Sequence, residues 1–247
     1  MRYWCPLCTP SKKPIVATQG YDRFLEIARH EDFGNYEVVT PYNNEHYPLY
    51  FSKLVNKNTT LIEEKERPCI IGLFVDIFPL DATADDVEQA KALQRKYVKH
   101  INCLNAISTR NSFGEYLTLL THRKTWGRFV VKTAAFFFRN LMRRHFIAKM
   151  DHLSHLYDFD KAQNVQVYTG SYHEREIFPK AWLGNGKPFP FEDTTVLLPA
   201  EYDKYLSHFF GNYMQLPPVE QRVEKHLRYY LNMEKRETWQ EISKKLL

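Results

Sequence analysis

Asp76 is the one charged residue between Arg67 and Asp81, set in the run Cys69-Ile-Ile-Gly-Leu-Phe-Val-Asp-Ile-Phe-Pro-Leu-Asp81. The β-branched and aromatic content of this run predicts a buried strand, closed by Pro79. Side chains alternate along a strand, so Asp76 shares a face with Gly72, Phe74 and Phe78. A carboxylate in that company is costly unless a cation, a metal or several donors meet it. Two readings follow. One is an aspartate at a strand end, paired with an arginine or bonded to a loop. The other is a metal-binding or catalytic carboxylate at a sheet edge. Lys53 alternates with Phe51 and Val55. It reads either as a solvated strand lysine or as a clamp for phosphate, to which a mobile ammonium is suited. Cys5 and Cys8 form a CxxC pair with no second pair behind it. That is half of a structural zinc site, and a chance occurrence is the expected reading.

The elements that must position these groups can be read in order. Residues 1–20 carry three prolines and no clear period, and are expected to be an irregular arm. Tyr21 to His30 has helical spacing, with Phe24, Leu25 and Ala28 on one side. Strands are expected at Tyr36 to Thr40, Leu49 to Val55 and Thr59 to Glu63, joined by turns. With the Asp76 strand they make a small hairpin-built sheet over about 36–81. A helical middle covers about 85–160, beginning with an acidic-to-basic helix from Asp85 to Leu104. Tyr116 to Met150 has no acidic residue and eight Lys or Arg. On a helical wheel Lys124, Arg128, Lys132, Arg139, Arg143 and Lys149 form one stripe, opposite Trp126, Phe129, Val130, Phe136, Phe137 and Leu141. The segment reads as a surface helix packed by its aromatic side, as an interfacial helix on anionic lipid, or as a positive wall beside an anionic substrate. No nucleic-acid motif accompanies the stripe, so a nucleic-acid partner is not expected. Residues 164–240 return to short strands, with a hairpin over Phe189 to Leu198 and a helix from Glu201 to Phe210. Pro217-Pro218 is expected to open a last helix carrying Glu220, Arg222 and His226.

The 247 residues suffice for one sizeable core, and 44% hydrophobic with 26% charged residues describes a globular chain. A net charge of +5 suits phosphate-bearing ligands or an anionic membrane face. No signal-peptide-like run and no apolar stretch of about 18 residues occurs. A cytoplasmic location, peripheral on the inner membrane face, is the expectation.

Several phrases, in this order, resemble the LicD family of phosphocholine and related phosphodiester transferases. They are Tyr21-Asp-Arg-Phe-Leu, Tyr50-Phe-Ser-Lys-Leu-Val-Asn-Lys-Asn-Thr59, Gly72-Leu-Phe-Val-Asp-Ile-Phe-Pro-Leu-Asp81, Glu176-Ile-Phe-Pro-Lys-Ala-Trp182, Phe191-Glu192 and Phe210-Gly-Asn-Tyr-Met-Gln-Leu-Pro-Pro218 with Glu220, Arg222 and His226. The resemblance covers about 21–81 and 168–228 and implies one domain over 21–247. It implies an α/β (α+β) fold: a nucleotidyltransferase-like small mixed sheet flanked by helices. The implied activity moves phosphocholine, or a similar alcohol phosphate, from a CDP-activated donor such as CDP-choline. The acceptor is a hydroxyl of a cell-surface glycan (lipopolysaccharide, teichoic acid or capsule). Mg²⁺ is the implied cofactor, with Asp76 as its ligand and the catalytic carboxylate. Lys53 would stand near the donor phosphates, and Asn58 and Thr59 would shape the pocket rim. Asp81 would cap a loop or support the metal ligands. Arg222 and His226 would touch substrate or pin the closing helix. One departure matters: residues 1–20 hold no Asp or Glu, where the family carries its main acidic metal cluster. The chain therefore reads as truncated or degenerate. The alternative to the transferase is a non-catalytic relic that binds nucleotide or anionic membrane.

Overall fold

A single nine-residue strand, β5 (Phe74–Ala82), meets three different partners along its length. Antiparallel β3 (Ser52–Asn56) lies beside its first half, with Lys53 opposite Asp76 and Ser52 opposite Ile77. Parallel β1 (Ile15–Ala17) takes over at Phe78 to Leu80. Antiparallel β6 (Asn164–Gln166) pairs with Asp81 and Ala82. Pro79 does not end the strand, as its lack of an N–H would suggest. It sits inside the stretch paired to β1, just past the part paired to β3, and the chain stays extended to Ala82.

The computed structural model describes residues 15–108, 126–216, 218 and 228–246. Within them the fold is mixed α/β. A six-stranded, mostly antiparallel sheet has β2 (Tyr36–Val39) outside β3, and β7 (Ile177–Pro179) outside β6. β4 (Thr60–Ile62), expected to join the hairpin sheet, instead pairs with a late strand, β10 (Tyr230–Asn232). β8 (Lys187–Phe191) and β9 (Thr194–Leu198) form the expected hairpin apart from the main sheet.

Helix α1 (Thr18–His30) starts three residues earlier than its apolar period suggests, and part of the expected arm is thus β1 and the first turn of α1. Tyr21 and Leu25 pack against Val16, Ile77 and Leu54 on one face of the sheet. The opposite face carries Phe78 and Leu80 into the largest cluster, with Phe178, Tyr205 and Phe209, the last two from α4 (Tyr202–Phe210). Helix α2 (Val87–Ser108) and the far half of α3 (Trp126–Ser154) bury Tyr97, Leu104, Ile147, Met150 and Leu153 between them. The last helix, α5 (Trp239–Leu246), is opened by a capping box. The Thr238 N–H donates to Glu241 Oε2 at 2.7 Å, and the Glu241 N–H points back at Thr238 Oγ1 at 3.4 Å.

Helix α3 departs most from its wheel. Phe138 sits at φ −116°, ψ 19°, which breaks the 100° register on which the stripe was drawn. Arg143, assigned to the solvent stripe, is 5% exposed and donates to the carbonyls of Pro41 (2.9 Å) and Asn44 (3.2 Å). Phe137 and Leu141, assigned to the packed side, are 72% and 68% exposed. Lys124 and the side chains of Arg128 and Lys132 lie outside the described residues.

Candidate functional site

Two carboxylates of β5 point to opposite faces of the sheet, and each has its own surroundings. Asp76 shares its face with Lys53, whose register opposite it follows from the β3–β5 ladder. Lys53 is 1% exposed and Asp76 7%. The Lys53 ammonium donates to Glu63 Oε2 at 2.9 Å and stands 3.3 Å from Asp76 Oδ1. The second contact has ion-pair distance without hydrogen-bond geometry, so it is a Coulombic contact rather than a directed bond. The ammonium also lies 3.1 Å from the centroid of the Phe74 ring. Glu63 reaches the rim of a small cavity of about 60 Å³, also lined by Tyr47, Cys69, Glu64 and Arg67. Burial, with Asp76 and Glu63 nearby, pushes the Tyr47 phenol well above its ordinary range.

Lys53 is thus neither a solvated lysine nor an open phosphate clamp. Its cation is enclosed by two carboxylates and a ring. Asp76 meets a cation, as the paired reading required, but the cation is a lysine from the neighbouring strand.

Mg²⁺, the ion implied by the resemblance, does not fit these residues. The space between the two carboxylates is taken by the ammonium, and a dication there would face a buried positive charge. Among the described residues no group of three or more His, Cys, Asp or Glu has the arrangement to hold a metal.

Asp81 lies on the α1 side of the sheet and is 1% exposed. Thr18 Oγ1 is 2.7 Å from its Oδ1 and 2.9 Å from Leu80 O, one hydroxyl shared between two acceptors. Oδ2 has no hydrogen-bond partner. Burial pushes this carboxyl up to about 7, against the opposing pull of Thr18 and His155. Around it α1 and α3 are tied together. His155 Nε2 is 3.1 Å from Asp22 Oδ2, its Nδ1 is 2.8 Å from Asp151 O, and Tyr42 donates to Asp151 Oδ1 at 2.6 Å. Burial pulls the His155 imidazolium down, but the bonds to Asp151 O and Asp22 outweigh it and the net shift is upward.

Asn58 and Thr59 form the turn that the sequence suggests, but Thr59 faces inward. Its hydroxyl donates to Asn56 O at 3.0 Å and accepts the Leu73 N–H at 2.8 Å. This tie brings Gly72 so close that a Cβ would overlap the Asn56 carbonyl and crowd Thr59 Oγ1. Gly72→Ala is therefore expected to cost on the order of 3 kcal/mol, because the obstacle is backbone rather than a flexible side chain. Urea denaturation of the variant measures it, and a loss under about 0.5 kcal/mol would show that the turn yields. Glu176 is buried and accepts the Tyr172 N–H at 3.1 Å, so that motif residue supports a loop. Glu220, Arg222 and His226 lie outside the described residues.

Glu63, Tyr47, Thr18, Asp151 and His155 were not singled out in the sequence. Glu63 ends a short strand candidate, and no spacing connects it to Lys53. Only the fold brings the two together.

The chain matches no family model, no curated protein and no solved structure. What the fold and the site define is a mixed α/β domain built on one central strand, with a buried lysine–carboxylate centre on one face and a neutral-range aspartate on the other.

Proposed function

We propose that this chain is a LicD-like domain that keeps the scaffold of a CDP-alcohol phosphotransferase but works by binding at an anionic membrane face, without turnover. The transferase lineage rests on the order of the sequence phrases, from Tyr21-Asp-Arg-Phe-Leu to Phe210-Gly-Asn-Tyr. The observation that carries the binding reading is the Lys53–Asp76 contact. The one carboxylate matched to the family's chemistry is buried, paired, and lines none of the described cavities. The membrane half is supported by α3, where Val130, Phe137, Phe138 and Leu141 are exposed along a segment with no acidic residue.

One observation favours retained chemistry. Asp81, held near neutrality, has the affinity to take a proton from a sugar hydroxyl if a substrate reaches it.

A paired assay separates the readings. The full chain is incubated with CDP-choline, Mg²⁺ and a glycan acceptor, and CMP is measured. The same preparation is sedimented with vesicles of phosphatidylcholine, alone or with phosphatidylglycerol. The expected result is no CMP above the buffer rate, with co-sedimentation on the anionic vesicles. Mg²⁺-dependent CMP release that disappears in Asp76→Asn or Asp81→Asn would replace the binding reading with the transferase one.

A further inference from the structure

The bend at Phe138 opens a cavity of about 390 Å³ between α3 and the loop at Glu45 and His46, lined on the helix side by residues 137–141. The loop wall is fastened to the helix. Arg143 holds the carbonyls of Pro41 and Asn44, Tyr42 holds Asp151, and Asn140 Nδ2 is 3.4 Å from Glu45 Oε2. Inside this frame, Arg139 has a buried Nε with no hydrogen-bond partner. Neither Arg139 nor Arg143 makes an ion pair with a carboxylate among the described residues, although Arg143 is buried and the Arg139 Nε is sealed from solvent. Burial lowers the Arg143 cation's hold on its proton, and Tyr50, Cys69 and Glu45 offset this only in part. A guanidinium in such a place presents a planar fork without its anion. The rim is apolar and exposed: Phe137, Phe138 and Leu141 stand beside the opening.

We propose that this cavity is a headgroup site for an anionic phospholipid. The lipid phosphate would be held by Arg139 and Asn140, with the acyl chains leaving over Phe138 and Leu141. Glu45 is the one acidic group lining the cavity, and its side chain is largely exposed, so it weakens the anion's attraction without cancelling it. The inference deepens the membrane half of the function proposed above and rests on it.

A charge-conserving variant gives the test. A diffuse attraction to anionic lipid counts charges, so Arg139→Lys would leave it unchanged. A phosphate held by a fork loses its second bond in that variant. With vesicles of phosphatidylcholine and about 30% phosphatidylglycerol, Arg139→Lys is expected to weaken co-sedimentation of the full chain about tenfold. Lys149→Arg is expected to leave it unchanged. Equal binding by wild type and Arg139→Lys would overturn the headgroup site while leaving membrane binding intact. Failure of the wild type on anionic vesicles would overturn the membrane reading. A second measurement needs no bilayer: dihexanoylphosphatidylglycerol below its micelle concentration, titrated calorimetrically into the wild-type chain. Saturable heat, lost in Arg139→Lys and not suppressed by millimolar inorganic phosphate, supports the site. Absence of heat, or full displacement by inorganic phosphate, overturns it in favour of no site or of a free-phosphate site.

Discussion

Lys53→Met is expected to lower the stability of the chain by about 3–5 kcal/mol, the cost of leaving a buried carboxylate without its cation. The variant removes the ammonium 3.3 Å from Asp76 Oδ1 and 2.9 Å from Glu63 Oε2. Glu63 is partly exposed and regains water, whereas Asp76 is nearly sealed and does not. The loss therefore falls on Asp76. A second substitution, Asp76→Leu on the Lys53→Met background, is expected to restore most of the stability. A matched apolar pair fills the volume without desolvating a charge. The Phe74 ring already lines the site, so the replacement meets apolar neighbours. Thermal melts of the wild type, both singles and the double give the coupling directly, and a fall in Tm on the order of 10 °C is expected for Lys53→Met. If Lys53→Met melts within about 1 °C of wild type, the pair is not holding the sheet, and Asp76 is free for other work.

Asp81→Asn should reverse its effect with pH. Asp81 has a folded-state pKa of about 7, raised by burial above the ordinary carboxyl value. Below about pH 4 both folded and unfolded chains keep the proton, and the group contributes its full stability. Between about pH 4 and 7 the unfolded chain has released the proton and the folded one retains it. Each pH unit then removes roughly 1.4 kcal/mol, and the loss levels off above the folded pKa. The upper bound on the total is on the order of 4 kcal/mol. Asparagine has no such titration. Its stability relative to wild type is expected to be lower near pH 4, where a protonated carboxyl suits Thr18, and higher above pH 7. Urea midpoints at half-unit steps from pH 4 to 8 provide the comparison. A difference that stays flat over that range means that Asp81 is already ionised in the folded chain.

Asp76 and Asp81 show why the two carboxylates of one motif carry different meanings. They lie five positions apart on the same strand, and odd spacing sends them to opposite faces. One meets a strand neighbour through ladder register. The other meets the first turn of a helix. A reading that placed both near one metal would need them on one face.

Local order was plain in the residues alone. The helical spacing after Tyr21, the turn at Asn56 to Asn58 and the Phe189 to Leu198 hairpin are present at nearly their expected positions, and the apolar run before Asp81 holds a strand, though one that begins at Phe74 and passes through Pro79. So was the oddity of Asp76, since one charge among apolar residues demands a partner. These follow from alternation, helical period and turn chemistry, which act over a few residues. The partners were decided only by the tertiary structure. Thr60 to Ile62 pairs with residues some 170 positions later, and Lys53 finds Glu63 because two strands happen to converge on one face. The α3 stripe failed because a wheel presumes one unbroken helix, and the backbone at Phe138 turns the two halves differently. Which side of a helix is wet depends on what packs against it, and for α3 that is α2 over the far half and the loop at Pro41 to Asn44 near Arg143.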